Sequence, residues 1–107
     1  MVRRTKKQST KSYDQFLNKQ LQDPELAAEY LSAAVQDKSL EGFLVALKNV
    51  AEAHGGIGTL SQVTQLNRQS MYKMFSERGN PTVSSLFTVL DALGLEVSIT
   101  PQDRKNA

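Results

Sequence analysis

The chain has 107 residues, 39% of them hydrophobic, enough for one domain with a modest core. It carries no cysteine and one histidine, which excludes disulfides, thiolate metal sites and His-based metal clusters and leads to the expectation of a reducing, cytoplasmic setting. Net charge is +2, yet Arg3, Arg4, Lys6, Lys7 and Lys11 all precede residue 12, where no acid stands, so the remainder is slightly acidic.

No apolar run approaches the roughly 20 residues needed to cross a bilayer, and none follows the basic N-terminus as a secretion signal requires. No membrane partner is expected. Residues 1–11 are polar, basic and without periodicity, and are expected as a disordered arm. Two readings stay open for that arm: a solvated terminus, or a tether for phosphates or an acidic partner.

Ser12 and Gln15 have the spacing of a capping box, and Phe16, Leu17, Gln20 and Leu21 follow as a short helix. Asp23-Pro24-Glu25 is a second start, with a cap, a proline at the first helical position and an acid in the first turn. Ala27, Tyr30, Leu31 and Ala34 form its apolar stripe, which ends near Asp37. From Ser39 to His54, the residues Leu40, Phe43, Leu44, Leu47, Val50 and Ala51 keep the 3.6 period. Gly55-Gly56 stops that helix. The glycine-rich run Gly55–Gly58 follows no strand, so it is a helix stop and not a dinucleotide loop. His54, at a helix end, is expected to be a solvated residue that favours the dipole.

Residues 60–75 read as two short helices joined by a tight turn. Gly58 or Thr59 can cap the first; Thr59 with Gln62 makes another capping box but leaves the helix very short. Leu60 and Val63 form its stripe, and Leu66 closes the turn. Asn67 can cap the second helix, whose Met71, Met74 and Phe75 recur at i, i+3 and i+4. Gly79-Asn80-Pro81 ends the pair. Thr82 caps a further helix bearing Val83, Leu86, Phe87, Leu90 and Leu93, closed by Gly94. Leu95 to Thr100 alternates apolar and polar as a half-buried strand does, and Pro101 ends it. A lone strand needs a partner. A second copy can supply it in a two-fold dimer, or the strand packs back on its own core.

The face opposite Met71 and Met74 carries Arg68, Gln69, Tyr72, Lys73 and Ser76. A short helix that hides its apolar side and shows such residues suits the DNA major groove. Arg68 can hold guanine O6 and N7, Gln69 can pair with adenine, and Lys73 can reach a base or a phosphate. Ser70, Tyr72 and the free N–H groups of both short helices can meet phosphates. The alternative is an ordinary solvated helix face. Arg78 has a similar choice between favouring the dipole and touching a phosphate. No catalytic set is visible, so no enzyme activity, cofactor or metal is expected.

Leu60 through Leu93 resembles the helix-turn-helix of the lambda-repressor-like (XRE or Cro type) regulators. The run from Asp23 to Ala34, the helix ending Asn49 to Gly56, the stretch Leu66 to Phe75, Gly79-Asn80-Pro81 and Leu90 to Leu95 together resemble the addiction-module antidote proteins, HigA-like antitoxins found beside RelE/ParE-type toxins. The likeness covers residues 23–100, with Met71-Tyr72 and the Gly-Asn-Pro turn its most specific part. It implies an all-α helix-turn-helix bundle of about five or six helices with a short C-terminal β-strand that can pair across a dimer.

On this reading residues 1–11 are an arm and 12–101 a single DNA-binding domain. Within it, 12–38 are N-terminal helices, 39–94 the helix-turn-helix core and 95–100 the strand, and 102–107 form a frayed tail. The implied function is an antitoxin that binds double-stranded operator DNA as a homodimer, represses its own operon and neutralises a cognate toxin. The DNA-contacting residues would be Asn67, Arg68, Gln69, Ser70, Tyr72 and Lys73. Two departures stand out: Gln65 where such proteins place glycine in the turn, and Ile57 where many repressors place a phosphate-binding glutamine. Two other functions stay open. One is a free-standing phage-type regulator. The other is a toxin-masking module with little DNA binding, using Asp14, Asp23, Glu25, Glu29 and Asp37 on the acidic N-terminal helices.

Overall fold

The computed structural model describes residues 12–76 and 78–103. These form α1 (residues 12–20), α2 (Pro24–Gln36), α3 (Leu40–Ala53), α4 (Gly56–Thr64), α5 (Arg68–Met74) and α6 (Val83–Ala92). The expected disordered arm at 1–11, and residues 104–107 of the expected frayed tail, lie outside the described residues.

Local side-chain chemistry starts most of these helices. The Asp23 carboxylate accepts from the Glu25 N–H at 2.9 Å, with Pro24 in the first helical position of α2. Ser39 Oγ accepts from the Gly42 N–H at 3.0 Å to begin α3. Thr82 Oγ1 accepts from the Ser85 N–H at 3.0 Å to begin α6. The far end of α6 is closed by two backbone bonds, Leu95 N–H to the Leu90 carbonyl and Gly94 N–H to the Asp91 carbonyl. Gly94 sits at φ +79°, the left-handed conformation that this closure requires.

Two starts differ from expectation. Ser12 is already helical, so it is not the cap of α1. Gly55, at φ +108°, is the N-cap of α4, which begins at Gly56 and not near Gly58 or Thr59. The Thr59 hydroxyl instead donates back to the Gly55 carbonyl at 3.0 Å, so no Thr59–Gln62 box forms. One glycine pair thus ends α3 and opens α4 directly.

The centre of the molecule is α3. Leu47, Val50 and Ala51 have no exposed surface, and α2 and α4 both pack on this helix. Around them gather Leu21, Ala27, Leu31, Ile57, Leu60, Met71, Met74, Phe75, Val89, Leu90 and Leu93 in one cluster. The Asn49 amide donates to the Tyr30 hydroxyl at 2.9 Å and ties α3 to α2. His54 is partly buried, and its Nε2 meets the Leu21 carbonyl at 3.0 Å, joining the end of α3 to the α1–α2 turn. The expectation of a merely solvated His54 is corrected by this contact.

Four apolar residues assigned to core stripes, Leu40, Val63, Val83 and Phe87, lie outside, between 47% and 63% exposed. Phe16 of α1 is likewise 61% exposed. Ile57 and Val89 take the inward positions of α4 and α6. The half-buried strand expected at 95–100 does not form within the chain. Leu95 packs on the core, but the segment finds no ladder partner among the described residues, and Ile99 is 93% exposed.

Candidate nucleic-acid interface

The α4–α5 pair is joined by a three-residue link, Gln65 to Asn67. Gln65 takes φ +67°, so the non-glycine departure at this turn does adopt the left-handed conformation. The turn is fixed by Thr64, whose hydroxyl donates to the Leu60 carbonyl at 2.7 Å and accepts from the Leu66 N–H at 3.1 Å. Ser61 Oγ donates to the Met71 sulfur at 3.4 Å, linking the two helices from inside.

With only seven residues, α5 depends on its cap and its packing. The Asn67 side-chain oxygen accepts from the Gln69 N–H at 2.7 Å and from the Ser70 N–H at 3.2 Å. These two amides of α5 are therefore committed to the cap, whereas α4 begins at Gly55 without any side-chain cap bond. Met71 and Met74 are buried beneath the helix, with Phe75 just beyond it. Asn67, Arg68, Gln69, Ser70, Tyr72 and Lys73 are all exposed, so the structure brings the sequence-derived site residues to the outer side of one element. Gln69 and Lys73 stand one turn apart on the same face.

Arg68 does not extend freely from this surface. A Cβ placed on Gly58 of α4 would stand 2.9 Å from an Arg68 Nη atom, so the guanidinium rests against the bare backbone of the neighbouring helix. Ile57, where a phosphate-binding side chain was in question, is 6% exposed and belongs to the core.

Beside α5 runs a groove of about 450 Å³ between the helix and the start of α6, lined by Ser70, Lys73, Arg78, Asn80, Thr82 and Ser85 among others. Arg78, whose phosphate contact the sequence left open, lines this groove, and Asn80 and Ser85 extend the candidate surface beyond the residues read from the sequence. The signal for them was the Gly79-Asn80-Pro81 turn, which ends α5 and leads to the start of α6 at the edge of the groove. A larger groove of about 690 Å³, lined mainly by α1 and α3, presents Leu17, Leu44 and Val45 together with the acids Asp14, Glu41 and Glu52 and one cation, Lys48. Among the described residues no group of His, Cys, Asp or Glu can hold a metal ion, and no helix is long and apolar enough to cross a membrane.

A 30% identical relative, over 70 residues, is an uncharacterised protein of Haemophilus influenzae; the match spans 65% of this chain and 71% of that protein. No solved structure matches. The family model described as "Probable addiction module antidote protein" matches residues 9–101, nearly the whole chain. The chain belongs to the addiction-module antidote protein family.

Proposed function

We propose that this antidote protein is a DNA-binding antitoxin, with α4 and α5 acting as a helix-turn-helix and α5 entering the major groove. The observation that carries the reading is the outer side of α5, where Arg68, Gln69, Tyr72 and Lys73 stand exposed above a buried Met71 and Met74. Gln69 meets base edges; Lys73, Ser70 and Tyr72 hold the backbone; Asn67 keeps the helix start in shape. Arg78 lies along the groove that continues this surface. The antitoxin role is supported by family membership. A small RelE/ParE-type toxin as partner and repression of its own operon are implied by the resemblance to HigA-like proteins.

The protein acts as a homodimer in this proposal. Support comes from the segment 95–100, which finds no partner strand among the described residues. Leu95 packs on the core, while Val97 and Ile99, at alternate positions beyond it, are exposed. Two copies pairing there would set two α5 helices for half-sites about 34 Å apart. A toxin-masking role can coexist with DNA binding, and the groove of α1 and α3 favours it, since three acids against one lysine leave its lining net negative, which suits a basic partner.

The test is titration of the purified protein with the duplex upstream of its own gene across a salt series. Affinity is expected to fall linearly in log–log form, with a slope set by the phosphate contacts. Binding with no salt dependence, or none beyond that of a random duplex, refutes operator recognition.

A further inference from the structure

The observation that reaches furthest beyond these assignments is the contact between Arg68 and Gly58. Resting on the DNA-binding reading above, we propose that Gly58 is a positioning residue whose missing side chain seats the Arg68 guanidinium against α4, making Arg68 a clamp on the phosphate backbone and not a reader of a base.

The first residue of α5 is Arg68, the place from which a side chain in such a pair would be expected to reach into the groove. Its guanidinium instead lies over the first turn of α4, where a Cβ on Gly58 would come within 2.9 Å of Nη and 3.6 Å of Cζ. In a helix-turn-helix the first helix crosses the sugar-phosphate backbone while the second enters the groove. A guanidinium held on the surface of α4 therefore travels with the helix that faces phosphates. Gly58 has no left-handed φ, so its backbone does not require glycine. What glycine provides here is space for a cation. A residue that binds phosphate contributes affinity for every sequence alike, and sequence choice then falls to Gln69 and its neighbours.

The prediction separates cleanly from folding. Gly58→Ala displaces only the far end of a flexible side chain, and alanine is the better helix former, so the thermal midpoint should not fall. The experiment measures wild type, Gly58→Ala, Arg68→Ala and the double variant against the upstream duplex and a random duplex of equal length, between about 50 and about 200 mM salt. Each single variant should weaken binding to both duplexes by the same factor and leave their ratio unchanged. The salt slope should drop by about 0.9, so that each single variant loses about 3.5-fold less affinity than wild type across that range. On the Arg68→Ala background, Gly58→Ala should change nothing further, because Gly58 acts through Arg68.

The assignment is overturned if Arg68→Ala collapses the ratio of the two duplexes while the salt slope holds, since that is the signature of a base contact. It is also overturned if Gly58→Ala has no effect, or the same effect with and without Arg68. A wild-type protein that binds neither duplex sinks the DNA-binding reading itself and this assignment with it.

Discussion

Gln69 and Lys73 share a face of α5, yet their chemistry predicts different defects. Glutamine presents a donor and an acceptor side by side, which matches adenine N6 and N7, whereas the Lys73 ammonium is a point charge without that geometry. Gln69→Ala should therefore cost about 1–3 kcal/mol on the upstream duplex and little on a random one. Lys73→Ala should weaken both alike and lower the salt slope by about 1. Competition titrations with single base-pair variants of the upstream duplex check the pair. Equal loss on specific and random DNA for Gln69→Ala would remove it from base reading. The exposure of this face was legible in the sequence, because polar residues opposite Met71 and Met74 mark a face by period alone. The seat of Arg68 was not, since it depends on which residue of α4 the folded turn brings beneath it.

At the scale of the element, α5 is too short to stand by propensity, so Asn67 has two jobs that can be pulled apart. Its side-chain oxygen holds two amides, and it is exposed at the end of α5 that faces DNA in the proposal. Asn67→Ala removes the cap and should destabilise the fold by about 1 kcal/mol while weakening DNA binding. Asn67→Asp keeps an acceptor and adds a charge that favours the helix start, so stability should hold or rise slightly. The same carboxylate faces phosphates, so DNA affinity should still fall. Thermal unfolding alongside a binding titration separates the two effects; an Asn67→Asp variant with full affinity would place the helix start away from the DNA. Caps such as Asp23, Asn67 and Thr82 could be read in advance because each is a local hydrogen bond. The inward faces of α4 and α6 were read correctly at Leu60, Leu86, Leu90 and Leu93 and misread elsewhere, because apolar residues occupy more than one side of each. Val63 competes with Ile57, and Val83 and Phe87 compete with Val89; only packing against α3 and its neighbours decides which are buried.

For the whole molecule, the unanswered demand is the segment after α6. Alternation at 95–100 signalled a strand, but a strand exists only with a neighbour, and no single-chain sequence pattern can supply one. Leu95 packs on the core while Val97 and Ile99, two and four residues on, remain exposed. Exposed Phe87 and Val83 on α6 add apolar surface on the preceding helix. If a second copy covers Val97 and Ile99, Ile99→Asp would place one charge from each protomer near the two-fold axis of the paired strands. Repulsion and desolvation there should shift the protein to monomer without lowering the stability of the helical core, since Ile99 contributes almost no burial to it. Sedimentation equilibrium checks the mass. Binding to the upstream duplex should lose its two-site cooperativity and close to half its salt slope, because only one set of phosphate contacts remains per binding event. A wild-type protein that is monomeric at the concentrations where it binds DNA, or an Ile99→Asp protein that stays dimeric, would move the dimer contact elsewhere or remove it.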